Sequence, residues 1–275
     1  MDEELPADSA DMKNRFIKLF NSISTRQKFV PNEDGGLLRC FSYLQLATMI
    51  LPEDENQSED IAEATIEALQ NFFITRKFPF WFDMRSMYCL LGILKLSNRM
   101  NKVSREIREW LIEWICDSQS VLGGFGANPK AEAHGGYTFC AVSSLLILEQ
   151  PNIPRKDLLM AWCQSRLGPR FNGRPSKPSD SCYIWWICGT LNNFGHDEII
   201  DQKSEKIEKI LWEHFYVDNS GGGGFGKYPS VPIPGDPSSV HGKQDADLFH
   251  TFLAICSLAL FRNKIDSVLV LPLTR

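Results

Sequence analysis

One plan occurs four times along this 275-residue chain, and the repetition limits the fold more than any single motif does. Each copy has a helix ending in polar residues, a loop carrying Gly or Pro, and a polar cluster that opens a strongly apolar helix. The clearest is 105–149, REIREWLIEWICDSQSVLGGFGANPKAEAHGGYTFCAVSSLLILE. Another is 155–194, ending SDSCYIWWICGTLNNF. A third is 203–262, with GGGGFGKYP in its loop and DADLFHTFLAICSLALF after it. A degenerate fourth covers 59–98, with FWFDMRSMYCLLGILKLSN as its second half.

The first helices are amphipathic, with Trp110, Leu111, Trp114 and Ile115 on one face, whereas the second are apolar nearly all round. A helix apolar on every side is buried, and an amphipathic one lies at the surface. The repeats therefore predict helical hairpins with one helix inside and one outside. Stacked in a circle, they give an all-α, double-layered barrel, an α/α toroid. No stretch keeps the two-residue alternation of a strand between turn signals. Inner helices are expected at about 37–51, 84–97, 135–149, 181–194 and 248–262. Residues 1–275 are read as a single domain, with 1–36 outside the repeat frame.

Charge and hydropathy exclude other classes. With 29 Lys+Arg against 34 Asp+Glu, the chain lacks the basic excess of a nucleic-acid surface. The longest apolar run, Phe139 to Leu148, is half the roughly 20 residues of a membrane span. The opening MDEELPADSADMKNR is acidic where an export signal is basic and then apolar, so a cytoplasmic protein is expected. Eight cysteines are spread along the chain, mostly in apolar runs, and read as buried thiols rather than a disulfide framework.

Aligning the starts of the inner helices puts Asp83, His134, Asp180 and Asp247 in equivalent places. Two residues on lie Arg85, Gly136, Cys182 and Phe249; three on lie Ser86, Tyr137, Tyr183 and His250. These positions share one mouth of the barrel, where unpaired N–H groups and partial positive charge suit an anion. Asp180, Cys182 and His250 are three good zinc-ligand types, leaving a fourth position open. From spacing alone, a capping Asp, a core Cys and a surface His are the commoner reading; the alignment shifts the balance toward the ligand set by placing all three at one mouth. Arg174, Lys177 and Tyr183, in a loop stiffened by Pro175 and Pro178, form a second group suited to a diphosphate. Trp185 and Trp186 suit either an apolar pocket or core packing. GGFG and GGGGFGK lack the Lys-Ser/Thr ending of a phosphate loop and read as inter-helix turns.

Together these residues resemble the β subunit of the protein prenyltransferases. EAHGGYTFC, GRPSKPSDSCYIWW and DADLFHT stand in that family's order and repeat frame, over about 83–262, with a looser likeness across the first 80 residues. The resemblance implies one catalytic Zn2+ held by Asp180, Cys182 and His250. It further implies a diphosphate site from His134, Arg174, Lys177 and Tyr183, and an isoprenoid tunnel lined by Arg85, Tyr88, Tyr137 and Trp186. The similar enzymes work as heterodimers with an α subunit. They join a prenyl group to the cysteine of C-terminal CaaX motifs, as in small GTPases.

Lys227 stands where farnesyl and Rab-type enzymes carry a magnesium-binding Asp, which resembles the type I geranylgeranyltransferase and predicts that Mg2+ is not required. GRPSKPSDSCY and the closing LPLTR point the same way, whereas Tyr137 in EAHGGYTF is more farnesyl-like. Near Leu38 there is no Trp of the kind that shortens a farnesyl pocket. The expected function is thus a geranylgeranyltransferase type I β subunit acting on geranylgeranyl diphosphate. The alternatives are a farnesyltransferase β subunit and a shortened, non-catalytic paralogue that binds the α subunit or lipidated tails. The family has six inner helices against five counted here, one hairpin fewer between 50 and 83. The Pro- and Ser-rich insertion 230–247 is expected to be a mobile loop near His250. A terpene cyclase is disfavoured by the lack of an Asp-x-Asp-Asp motif.

Overall fold

The computed structural model describes Phe41 and residues 55–168, 170–219, 222–236 and 245–273. Apart from Phe41, the expected helix at 37–51 and the surroundings of Leu38 lie outside the described residues, as do 237–244 of the insertion. The chain divides into two compact units, Met1–Trp81 with Cys89–Val103, and Phe82–Tyr88 with Ser104–Arg275.

In the smaller unit, α1 (Glu55–Thr75) buries Ile61, Ala62, Leu69 and Phe72, and the rings of Phe72 and Phe78 meet edge to face at 5.7 Å. Helix α2 (Met84–Leu96) begins in the larger unit and ends in the smaller, burying Leu90, Leu91, Ile93 and Leu94.

The larger unit repeats the hairpin plan three times. Outer helix α3 (Arg105–Asp117) starts at Ser104, whose hydroxyl accepts the Ile107 N–H. It buries Ile107, Leu111 and Ile115, one stripe at four-residue spacing. Its inner partner α4 (Gly135–Ile147) buries an unbroken run from Thr138 to Leu145. The same sequence of outer and inner follows in α5 (Lys156–Gln164) and α6 (Cys182–Asn193). The last pair is α7 (Asp197–Ile210) and α8 (Leu248–Leu260). Helix α6 packs between α4 and α8, and α5 and α7 lie against it from outside. The inner helices expected at 84–97, 135–149, 181–194 and 248–262 are thus present to within two residues.

Two features depart from the repeat reading. First, α7 runs through a π-helical turn (Leu211–Phe215) into an antiparallel pair, β1 (Tyr216–Asn219) and β2 (Gly222–Phe225). Gly222–Phe225 of this stretch is therefore a paired strand rather than a plain turn. A Cβ on Gly224 would stand 2.7 Å from Thr251 Oγ1 and 2.9 Å from the Ala246 Cβ, so the strand can lie against α8 only as glycine there. A second short pair, β3 (Ile265–Asp266) and β4 (Leu271–Pro272), follows α8. Secondly, α8 is not buried all round. Leu248, Phe249, Phe252 and Ile255 are exposed, because α6 covers one side of α8 and, among the described residues, no helix covers the other. The seven described cysteines are free thiols, six of them buried, in keeping with the reading against disulfides. Among the described residues no helix is long and apolar enough to cross a membrane.

Candidate metal centre

The four aligned polar residues all bind N–H groups at the starts of inner helices, Asp180 from one residue before the cap of α6. Asp83 Oδ1 accepts the N–H groups of Arg85 and Ser86 at 2.9 and 3.2 Å. His134 Nδ1 accepts the Gly136 N–H at 3.2 Å. Asp180 Oδ1 accepts the Cys182 N–H at 3.0 Å, and Asp247 Oδ1 accepts the His250 N–H at 2.9 Å. Capping satisfies N–H groups that a helix start leaves unpaired. It also gathers the following side chains at one level, which is how residues far apart in sequence meet.

Asp180, Cys182 and His250 converge, with ligand atoms within 4.8 Å of one another and all three residues buried. His250 Nε2 is 3.3 Å from Asp180 Oδ1, while its Nδ1 is 2.6 Å from Asp247 Oδ2. Burial opposes charge on His250, but hydrogen bonds to Asp180 and Asp247 outweigh it and raise its pKa. Burial, reinforced by Asp180, pushes the Cys182 thiol well above its ordinary value; a hydrogen bond from Trp186 and the Lys227 charge work against this. Lys227 Nζ lies 4.0 Å from Asp180 Oδ2 and 5.1 Å from the centre of the Tyr228 ring.

These donors fit a zinc ion. A carboxylate, a thiol and an imidazole stand within one coordination sphere, and the imidazole is oriented by a second carboxylate. A buried thiol beside a carboxylate stays protonated by itself, and a divalent cation is the partner that ionises it.

A second cluster adjoins the first through α6. Tyr183 Oη and His134 Nε2 are 2.8 Å apart, and the His134 ring contacts Tyr137 and Tyr183 at 5.0 and 5.4 Å. Burial, then the charges of Arg174 and Arg85, lower the His134 pKa to about 4, so its ring is neutral near pH 7. Since Nδ1 accepts the Gly136 N–H, the ring proton is on Nε2 and is donated to Tyr183. The Tyr183 hydroxyl proton is left for a ligand. Arg85 lies over the Tyr137 ring at 5.6 Å and pairs with Asp83; Arg174 NH1 pairs with Glu132 at 3.1 Å. Lys177 is exposed on the same loop as Arg174. Trp186 is half-buried against Phe139, ring centres 5.2 Å apart. Tyr88 is buried against Phe139 and its hydroxyl donates to the Val268 carbonyl at 2.7 Å.

Three contributors escaped the sequence reading. Gly173 lies so close to Tyr183 that a Cβ there would stand 2.3 Å from the phenol ring. Ser179 and Asp236 hold the loop that carries Asp180, and nothing in their local sequence signals it.

Residues 39–272 match the model of the prenyltransferase alpha-alpha toroid domain. The chain is 30% identical over 195 residues to the geranylgeranyl transferase type-1 subunit beta of Arabidopsis thaliana, covering 66% of this chain and 46% of that protein. It is 34% identical over 111 residues to the protein farnesyltransferase subunit beta of Schizosaccharomyces pombe, covering 38% of this chain and 28% of that one. Among solved structures, Candida albicans protein geranylgeranyltransferase-I complexed with GGPP is similar, with a TM-score of 0.56 and 28% identity, covering 69% of this chain and 54% of that chain. The chain spans about half the length of the geranylgeranyl-type relatives it matches.

Proposed function

The chain belongs to the prenyltransferase alpha-alpha toroid family, and from that premise we propose that it is the catalytic β chain of a protein geranylgeranyltransferase of type I. The observation that carries the reading is the convergence of Asp180, Cys182 and His250 at one mouth, with Lys227 beside Asp180. The proposed substrates are geranylgeranyl diphosphate and proteins ending in a CaaX-type motif, and the proposed partner is a prenyltransferase α subunit.

Asp180, Cys182 and His250 would hold Zn2+. When bound, the ion supplies a site at which the substrate cysteine is a thiolate at neutral pH, the nucleophilic form. The remaining work falls to the chain's own groups. Transfer forms a bond from sulfur to C1 of the prenyl chain and breaks the bond from C1 to diphosphate, so negative charge grows on the leaving oxygens. Tyr183 donates its hydroxyl proton there, its oxygen already satisfied by His134. Arg174, Lys177 and Lys227 bring fixed positive charge, and the starts of α4 and α6 add their dipoles. With Lys227 in place, Mg2+ is not needed. Arg85, Tyr137 and Trp186 flank the prenyl chain, and Tyr88 supports that wall from behind.

A farnesyltransferase β chain is the second reading, favoured by the similarity to the fission-yeast protein and by Tyr137. Co-expression with an α subunit, transfer assays with both prenyl diphosphates and zinc quantification separate the two. Preferential use of the geranylgeranyl donor, with one zinc per β chain, is expected. Preference for the farnesyl donor selects the second reading, and a purified complex without zinc overturns both.

A further inference from the structure

The segment after Lys227 returns to the metal centre. Ile233 is buried, and the chain then turns through Gly235, at φ +83°, with the Asp236 N–H donating to the Ile233 carbonyl at 3.1 Å. This brings a fully buried carboxylate, Asp236, beneath the loop that leads into Asp180. The Ser179 hydroxyl donates to Asp236 Oδ2 and accepts the Phe171 N–H at 3.2 Å. Arg170 Nε is 3.4 Å from Asp236 Oδ1. The next two residues are pinned from other directions. The Asp180 N–H donates to the Phe171 carbonyl at 2.8 Å. The Ser181 N–H donates to the Lys227 carbonyl at 3.0 Å and its hydroxyl to the Gly226 carbonyl at 2.8 Å.

Residues 227–236 therefore form a strap whose two ends grip the two sides of Asp180. Lys227 holds Ser181 at one end, and Asp236 holds Ser179 at the other. We propose that Asp236 is a positioning residue that fixes Asp180, Cys182 and Lys227 in one register, and so sets the donor spacing for the metal. This rests on the zinc reading of the site. A buried carboxylate is costly unless paired, and an apolar residue of similar size would anchor a surface loop at less expense. What the carboxylate adds is direction: it orients the Ser179 hydroxyl, which orients the backbone immediately before Asp180.

The test compares the full chain, co-purified with its α subunit, with Asp236→Ala, Asp236→Asn and Ser179→Ala. Zinc affinity is measured by chelator competition, the sulfur-to-cobalt absorption by Co2+ substitution, and Cys182 alkylation in the metal-free protein by peptide mass mapping. Asp236→Ala is expected to weaken zinc about 10–100-fold, the range for groups that orient metal ligands. It should also shift the cobalt spectrum and speed Cys182 alkylation. Asp236→Asn, which keeps an acceptor for Ser179, is expected to recover most of the affinity. Should Asp236→Ala fail to fold, Ser179→Ala carries the same expectations with a smaller loss. Wild-type zinc affinity and cobalt spectrum in a folded Asp236→Ala, even with a lowered Tm, would reduce Asp236 to a structural anchor and overturn the proposal. If the wild-type complex takes up no zinc, the reading of the site fails. The positioning role is then decided by alkylation alone: faster in Asp236→Ala upholds it, unchanged overturns it.

Discussion

Asp247 serves His250 twice: Oδ1 accepts the His250 N–H and so starts α8, while Oδ2 takes the Nδ1 side of the imidazole at 2.6 Å. Capping and ligand orientation are thus joined in one carboxylate, and they are separable by substitution. Asp247→Ala is expected to lose both, at about 1 kcal/mol of stability for the cap and about 10–100-fold in zinc affinity for the orientation. Asp247→Ser restores the cap but not the orientation. Thermal melts of the metal-free protein read the first quantity, and chelator competition reads the second.

His134 predicts a pH dependence of stability. Its folded pKa is lowered to about 4, by burial first and then by Arg174 and Arg85, from an ordinary 6.5. Between those values the unfolded chain binds a proton that the folded chain does not, so stability falls as pH falls through that window. The contribution is fully present above pH 6.5, and the loss levels off below pH 4. Allowing for its partial exposure, the loss amounts to about 1–3 kcal/mol. His134→Asn, which can still cap α4, should flatten this part of the profile in denaturant melts at pH 7.5, 5.5 and 4.5. An unchanged slope would show that the ring is not held neutral.

The hairpins were legible because buried inner helices leave a plain mark, apolar residues on every side from Phe139 to Leu148 or Ile184 to Leu191. Asp180, Cys182 and His250 were legible through the repeat frame, since equivalent positions at helix starts share a level in space. What escaped depends on partners distant in sequence. Asp236 meets Ser179 across 57 residues and Tyr88 meets Val268 across 180, and neither pair leaves a local signature. The β1–β2 pair escaped because its second strand is glycine up to Phe225, with no alternation to read. The exposed stripe on α8 escaped because exposure is decided by the neighbouring helix and not by the helix's own composition.

Lys227 sits 4.0 Å from Asp180, and in the proposed function its charge serves the leaving diphosphate. Lys227→Ala is expected to lower transfer by about 100-fold, the scale for removing a stabilising donor from a developing oxyanion, with zinc content retained. Lys227→Asp should regain activity on addition of magnesium, whereas the wild type should be indifferent to it. Activity of the wild type that vanishes on magnesium chelation at constant zinc would sink this assignment.

Gly173 offers a way to separate the proposed diphosphate handling from the proposed metal binding. Its carbonyl accepts the Gly135 N–H at 2.9 Å, and its Cα lies close against the hydroxyl end of the Tyr183 ring. A methyl group there would stand 2.3 Å from the ring and 2.4 Å from the hydroxyl, so Gly173→Ala must push the phenol off His134 Nε2. The hydroxyl proton is then no longer directed at a ligand. The atoms such a methyl group would meet first all belong to Tyr183 and none to Asp180, Cys182 or His250, so their donor set is expected to stay in place. Zinc stoichiometry should therefore match the wild type, while turnover with prenyl diphosphate falls about 10–100-fold, the range for misplacing a group that stabilises the leaving charge. Tyr183→Phe should give a loss of similar size, and combining the two should add little, because both remove one hydrogen bond. Full additivity in that double-mutant cycle would mean that Gly173 acts elsewhere.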